Sequence, residues 1–307
     1  MPRVFRFTEY GGPEHQELAE LPVPTPGPSE LLVQVRAAGV NPIDVELRQG
    51  LLREAAPREL PAQFGSEVSG VVREVGKDVA GFAVGDEVFG APAPGHGAFS
   101  EYTVTTASAT AKKPLHVSHE DAATLVVSAA TAYDGLAQLG LDSGQTLLVT
   151  GIGGGVGVAA AQLARDAGIA VFGTGSEGER ALVQALGATL VLSGEGVEQR
   201  VRELLPDGVD GVLDLVGGAA LGAVAGLVAD RARLVTAADP ATAAELGGVA
   251  LVRDGSSRVL DEVARLVAGG KLDPHVQDVL DLDDAAQAIA SVESGHALGT
   301  VVVRVSA

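Results

Sequence analysis

The stretch "TLLVTGIGGGVGVAAAQLA" (146–164) carries five glycines in seven residues, from Gly151 to Gly157. Glycine permits sharp turns and close approach of the backbone to a ligand. An apolar run precedes these glycines and an alanine-rich pattern of helical period follows them. They therefore stand at a strand–helix junction and not in a linker. Such a junction aims the N–H groups of a helix start at a pyrophosphate. The strict spacing GxGxxG fails, because Val156 stands where the last glycine would be. GxxGxxG fits Gly151, Gly154 and Gly157, and the shorter GxGxxA fits Gly155, Gly157 and Ala160. The expectation is dinucleotide binding by Gly151, Gly153, Gly154, Gly155 and Val156. The competing reading is a purely structural glycine turn.

The end of the next strand selects the dinucleotide. NAD sites commonly place an acid there for the ribose 2′-hydroxyl. Here the segment reads "FGTGSEGER" (172–180), with Thr174, Gly175 and Ser176 in place of the acid and Arg180 following. Hydroxyls beside a cation suit a 2′-phosphate, which favours NADPH over NADH. Glu177 and Glu179 oppose that choice unless they turn outward, and Arg180 could equally be a solvated helix residue.

The remaining chemistry is narrow. The chain has no cysteine, which excludes disulfides, thiolate catalysis and thiolate-bound zinc or iron–sulfur clusters. Of the six histidines only His116 and His119 are close in sequence, and nothing nearby completes a metal-ligand set, so capping or surface roles suit them better. The formal net charge is −19 with no Lys/Arg cluster, which argues against nucleic acid and for an acidic, solvating surface. No uncharged apolar run reaches the roughly 20 residues of a spanning helix, and the N-terminus lacks the apolar core of a signal peptide. The expectation is a cytoplasmic protein that spans no membrane.

These residues need elements to position them. At 307 residues with 46% hydrophobic content, the chain predicts about two domains with real cores. The first third is β-rich, with Val-rich runs at 31–40, 68–75 and 84–90 and an extended proline-dense connector at 22–30. Beyond Pro114 the texture changes to apolar strands alternating with helical patterns, at 146–150, 169–175, 189–193, 209–218 and 232–239. That alternation predicts a parallel sheet with helices on both faces. Helices follow at 256–268 and within "LDLDDAAQAIASVESG" (280–295). The final run "GTVVVRV" (299–305) resembles the first third, so the C-terminus is expected to return to the first domain.

Several further motifs, in order along nearly the whole chain, carry a family resemblance. They are "AAGVNPIDVELRQG" (37–50), "FGSEVSGVVREVGKDVAGFAVGDEVFG" (64–90), "GAFSEYTV" (97–104), "SAATAYDGL" (128–136), "LDLVGG" (213–218) and "ALGTVVVRV" (297–305). With the glycine run they resemble the medium-chain dehydrogenase/reductase superfamily, in its zinc-free quinone oxidoreductase branch. The resemblance implies an α/β protein: a GroES-like β-rich catalytic domain (1–116 plus 254–307) with an inserted Rossmann doubly wound parallel-sheet domain (117–253).

It also implies site residues. Metal-dependent members of the superfamily carry zinc ligands at positions that here hold Asn41, Ser66 and, near the third, Val127. Their Gly-His-Glu motif reads Gly65-Ser66-Glu67 here, so Glu67 is the one side chain left that could ligate, and one carboxylate does not hold a catalytic zinc. No metal is expected. Asn41 is expected to line the substrate and nicotinamide pocket, with Asp44 fixing the turn. Val45, Glu46 and Leu47 follow Asp44 where some relatives carry a tyrosine proton donor, so solvent is left as the proton source. Thr131, Val216, Thr236, Ala237 and Leu298 are expected at the cofactor, with Thr300 replacing a lysine common in relatives.

The resulting expectation is an NADPH-dependent, metal-free oxidoreductase that passes hydride to a quinone or α,β-unsaturated carbonyl. Two alternatives remain at this stage. One is an enoyl reductase for thioester-bound or natural-product intermediates, with Arg48, Arg53 and Arg58 as candidate phosphate contacts. The other is a nucleotide-binding redox sensor without turnover. A homodimer is expected through an edge strand at 248–253.

Overall fold

The computed structural model describes residues 1–295 and 297–305. The described chain divides into two compact units. The first comprises residues 1–127, 255–268 and 275–305, and the second residues 128–254 and 269–274.

In chain order, the first unit opens with β1 (Arg3–Phe7), β2 (Gln16–Glu20), β3 (Glu30–Val40), α1 (Pro42–Gln49), β4 (Ala62–Gln63), β5 (Val68–Val75), β6 (Glu87–Pro92), β7 (Tyr102–Lys112) and α2 (His119–Ala122). Strand β3 pairs antiparallel with both β5 and β7, and β6 joins β5 to β7, so four strands close on themselves. Closure removes the open edges an antiparallel sheet would expose. A small sheet of order β2-β1-β4 lies beside them in sequence. The core of this unit gathers Phe5, Phe7, Phe64 and Phe99, with the Phe7 and Phe64 ring centroids 5.1 Å apart.

The second unit holds α3 (Ala130–Leu139), β8 (Thr146–Thr150), α4 (Gly155–Asp166), β9 (Ala170–Gly175), α5 (Arg180–Ala185), β10 (Thr189–Leu192), α6 (Val197–Leu204), β11 (Gly211–Asp214), α7 (Gly218–Ala225), β12 (Leu234–Thr236), α8 (Pro240–Glu245) and β13 (Val249–Ala250). All pairings are parallel, in the order β10-β9-β8-β11-β12-β13. This is the doubly wound order, with its reversal between β8 and β11. Leu147, Leu148, Val149, Val212 and Leu213 are wholly buried, because helices cover both faces of the sheet.

The chain then forms α9 (Ser257–Ala268), β14 (Val276–Asp281), α10 (Ala285–Glu293) and β15 (Thr300–Arg304). Strand β15 pairs antiparallel with β3, so the C-terminus returns to the first unit's sheet. Strand β14 was not expected from sequence. It is an edge strand, parallel to β15, whose residues are mostly exposed. An exposed edge strand needs no apolar run, and the helix expected from 280 begins with a 3-10 turn at Leu282–Asp284 that leads into α10. Among the described residues no helix is long and apolar enough to cross a membrane.

Candidate functional site

The glycine run forms the turn between β8 and α4. Gly151 adopts a left-handed φ of +67°. The N–H groups of Gly151 and Ile152 both donate to the Thr174 carbonyl, at 3.1 and 3.3 Å, which ties the turn to the end of β9. A Cβ on Gly157 would stand 2.6 Å from the Gly151 carbonyl oxygen and from Ile152. Only glycine lets α4 start so close to its own turn. Gly154 is the N-cap of α4 and no side chain caps that end. A Cβ there would meet only the Gly151 carbonyl oxygen, at 3.7 Å. The N-terminus of this twelve-residue helix is therefore bare, with N–H groups that fit a pyrophosphate.

Asp214, at the end of β11, fixes the neighbouring strand ends and was not singled out from sequence. It is fully buried. Thr150 donates to its Oδ1 at 2.7 Å and Thr236 to its Oδ2 at 2.6 Å, while the Gly217 N–H lies 3.1 Å from both oxygens. The Thr236 hydroxyl in turn accepts the N–H groups of Ala238 and Asp239. Thr236 thus holds the rim together with its hydroxyl. Ala237 is tethered by its N–H to the Asp214 carbonyl at 2.8 Å. Val216 is 54% exposed, and its side chain lies 3.0 Å from where a Gly151 Cβ would be.

The buried Thr174, next to last in β9, lines a cavity of about 600 Å³. Ser193 and Glu195 between β10 and α6, Gln199 of α6, and Ala219 and Ala223 of α7 also line it. Sequence reading missed these residues, because a loop of Ser, Gly and Glu carries no motif. Ser176 is exposed, and its N–H donates to Glu179 at 3.0 Å. Arg180 donates to both oxygens of Glu177, through Nε at 2.5 Å and Nη2 at 2.7 Å. That pair holds the Glu177 carboxyl below its ordinary range.

Thr131 is buried in α3. Its hydroxyl accepts Arg253 Nη1 at 2.5 Å, and Arg253 Nε reaches Asp134 at 3.1 Å. Arg253 was not singled out from sequence. It is the cation that follows β13.

Asn41 and Leu298 belong to the first unit. Asn41 is the buried N-cap of α1. Its Nδ2 donates to Glu67 Oε1 at 2.7 Å, and the Val127 N–H donates to Glu67 Oε2 at 2.8 Å. A Cβ on Gly39 would lie 2.7 Å from the Glu67 carboxyl carbon, so that glycine makes room for the carboxylate. Asp44 is buried beside this group and accepts the Asn41 N–H at 2.9 Å, the Ser66 hydroxyl at 2.9 Å and the Gly65 N–H at 3.3 Å. Burial nevertheless pushes its carboxyl up to about 6, against the pull of these donors and of Arg58. Leu298 is half-buried ahead of Gly299, whose φ of +68° and contact with His275 leave no room for a side chain.

The alcohol dehydrogenase GroES-like domain family matches residues 27–115, and the zinc-binding dehydrogenase family matches residues 186–303. The 2-methylene-furan-3-one reductase of Solanum lycopersicum is 32% identical over 98% of this chain and 78% of its own. The quinone oxidoreductase of Coxiella burnetii superposes with a TM-score of 0.90 at 28% identity, over 99% of each chain. A mycobacterial protein solved in complex with NADPH gives 0.86 at 30% identity, over 99% of this chain and 100% of its own. The chain belongs to the medium-chain dehydrogenase/reductase family, in its quinone oxidoreductase-like branch. It is an oxidoreductase.

The family resemblance implies zinc ligands of metal-dependent members at the positions of Asn41 and Ser66 and near Val127. Here one carboxylate, Glu67, joins Asn41 to Val127 by hydrogen bonds, and Ser66 is drawn to Asp44. Among the described residues no group of three or more His, Cys, Asp or Glu side chains is placed to hold a metal ion. His119 turns to Ser69, at 2.8 Å, and toward Glu87, at 3.5 Å, and so does not pair with His116. One candidate contact for a thioester substrate is corrected: Arg48 is buried and donates to Glu293 at 2.6 Å, which removes it from any pocket mouth.

Proposed function

We propose that this chain transfers hydride from a nicotinamide dinucleotide to a quinone or an α,β-unsaturated carbonyl, without a metal ion. The observation that carries this reading is Glu67, whose oxygens accept from Asn41 and Val127, at positions where the family resemblance implies zinc ligands in metal-dependent members. One carboxylate is too few ligands to hold a catalytic zinc. Quinones and enones do not require a Lewis acid, because their own conjugation spreads the developing charge. The names of the tomato and Coxiella relatives agree with such acceptors.

The dinucleotide supplies the hydride when bound. The chain's part is to bind and orient. Gly151, Gly153, Gly154, Gly155 and Val156 receive the pyrophosphate at the bare start of α4. Thr131, Val216, Thr236 and Ala237 line the strand ends, with Asp214 keeping that rim rigid. Asn41 directs one Nδ2 hydrogen to Glu67, and the other serves an acceptor carbonyl. Leu298 lines the nicotinamide side. At the ribose 2′ position the residues pull in opposite directions. Thr174, Ser176 and Arg180 suit NADPH, the dinucleotide in the mycobacterial structure, whereas Glu177 and Glu179 suit NADH. A homodimer completes the reading: β13 is an edge strand followed by Val252, which is 73% exposed.

The test mixes purified protein with reduced dinucleotide and a panel of quinones and enones, before and after chelation, and follows the absorbance of the reduced nicotinamide. Chelator-insensitive oxidation is expected. Tight dinucleotide binding with no oxidation above background, or activity lost on chelation and restored by zinc, would overturn the proposal.

A further inference from the structure

We infer that the Glu179 carboxylate recognises the 2′-hydroxyl of the adenosine ribose, so that the chain binds NADH in preference to NADPH. This rests on the reading of the second unit as the dinucleotide site.

The acid that an NAD site commonly carries at the end of its second strand is missing from the sequence there, where Thr174, Gly175 and Ser176 stand. The fold returns an acid to that place from further along the chain. Glu179 lies in the turn that leads into α5, and the Ser176 N–H draws its Oε2 back at 3.0 Å. The carboxylate then rests on two glycines. A Cβ on Gly153 would lie 2.6 Å from the Glu179 carboxyl carbon and 3.1 Å from Oε1. A Cβ on Gly175 would overlap Oε2. Gly153 belongs to the turn before α4, and Gly175 is the last residue of β9. The carboxylate therefore sits between the pyrophosphate cradle and the strand end that leads, through Thr174, to the 600 Å³ cavity. A ribose that links pyrophosphate to adenine must pass this point.

The charges agree. The cation that would neutralise a 2′-phosphate is Arg180, and Glu177 holds it through two hydrogen bonds. Glu177 and Glu179 against Arg180 leave the strand end with one excess negative charge. A 2′-hydroxyl gives Glu179 a charge-assisted hydrogen bond. A 2′-phosphate, with close to two negative charges of its own, meets a carboxylate on a fixed seat.

Direct binding separates the possibilities. NADH and NADPH are titrated into the full-length protein and into E179Q and E177Q, with nucleotide fluorescence as the readout. The E179Q substitution keeps a side-chain oxygen for the Ser176 N–H, so the local turn survives. The unsubstituted chain is expected to bind NADH at least about tenfold more tightly than NADPH, and E179Q to lose about tenfold of that ratio, mainly by weaker NADH binding. E177Q, which frees Arg180, should tighten NADPH and leave NADH unchanged. Equal or tighter binding of NADPH by the unsubstituted chain, or an unchanged ratio in E179Q, overturns the inference while the dinucleotide reading stands. If neither nucleotide binds, both fall.

Discussion

Asn41 donates its side-chain amide to Glu67 at 2.7 Å, and the other oxygen of the same buried carboxylate accepts the Val127 N–H at 2.8 Å. Replacing Glu67 with Gln turns an amide N–H₂ toward one of these donors. A buried donor without a partner costs roughly 1–3 kcal/mol. E67Q is expected to lower the unfolding free energy by an amount in that range, and N41D, which sets two carboxylates face to face, to do at least as much. Urea unfolding of each variant is the check, and midpoints equal to that of the unsubstituted chain would refute a working hydrogen-bonded node.

Asp44 gives the fold a defined pH dependence. Its folded pKa of about 6 lies above the usual carboxylate value because burial disfavours the charge. The native state therefore holds this proton more tightly than the unfolded chain does. The stability it contributes is full below the unfolded pKa, is lost as pH rises through about 6, and changes no further above that. The stability difference between the unsubstituted chain and D44N should fall over this window by on the order of 1–3 kcal/mol. A difference that stays flat across the window, or an Asp44 NMR titration with an ordinary midpoint, would contradict it.

The two glycines that frame the start of α4 should separate stability from binding. A Cβ at position 157 meets backbone at 2.6 Å, whereas one at 154 meets only a carbonyl oxygen, at 3.7 Å. G157A is expected to destabilise by about 1–3 kcal/mol through overpacking. G154A should keep the thermal midpoint and weaken dinucleotide binding, since its methyl would stand against the bare helix start. Calorimetry with and without nucleotide decides, and a stable, fully binding G157A would count against this packing.

Asp214 ties Thr150, Thr236 and Gly217 around the reversal of the sheet. D214N offers one acceptor where two are used. A loss of roughly 1–3 kcal/mol is expected, together with weaker nucleotide binding, because the rim carrying Val216 and Ala237 loosens. Paired unfolding and binding measurements test this. Weaker binding at unchanged stability would mean that Asp214 acts on the ligand directly.

Much of the fold was legible because parallel strands covered on both faces must be apolar. The runs at 146–150 and 189–192 could be read for that reason. Strand β14 could not, since an exposed edge needs no such run. The glycine run was legible as a strand–helix turn because glycine spacing is a backbone requirement. Its second use, as a seat for the Glu179 carboxylate, was not. The spacing Ser176-x-x-Glu179 is that of a capping box and points Glu179 back to the Ser176 N–H, but only the packed strands bring Gly153 and Gly175 under the carboxylate.

Sequence by itself determined the two kinds of domain texture, the absence of cysteine chemistry and the position of the glycine turn between strand and helix. These follow from residue types and their period, which act locally. Tertiary structure alone decided that Glu67 joins Asn41 to Val127, that Arg48 faces Glu293, and that Arg180 is held by Glu177 while Glu179 lies on Gly153. Apart from the Arg180–Glu177 pair, these contacts join residues 26 or more positions apart along the chain. Where a charged side chain ends depends on which distant donors and empty spaces surround it, and that is set only when strands from separate parts of the chain pack together.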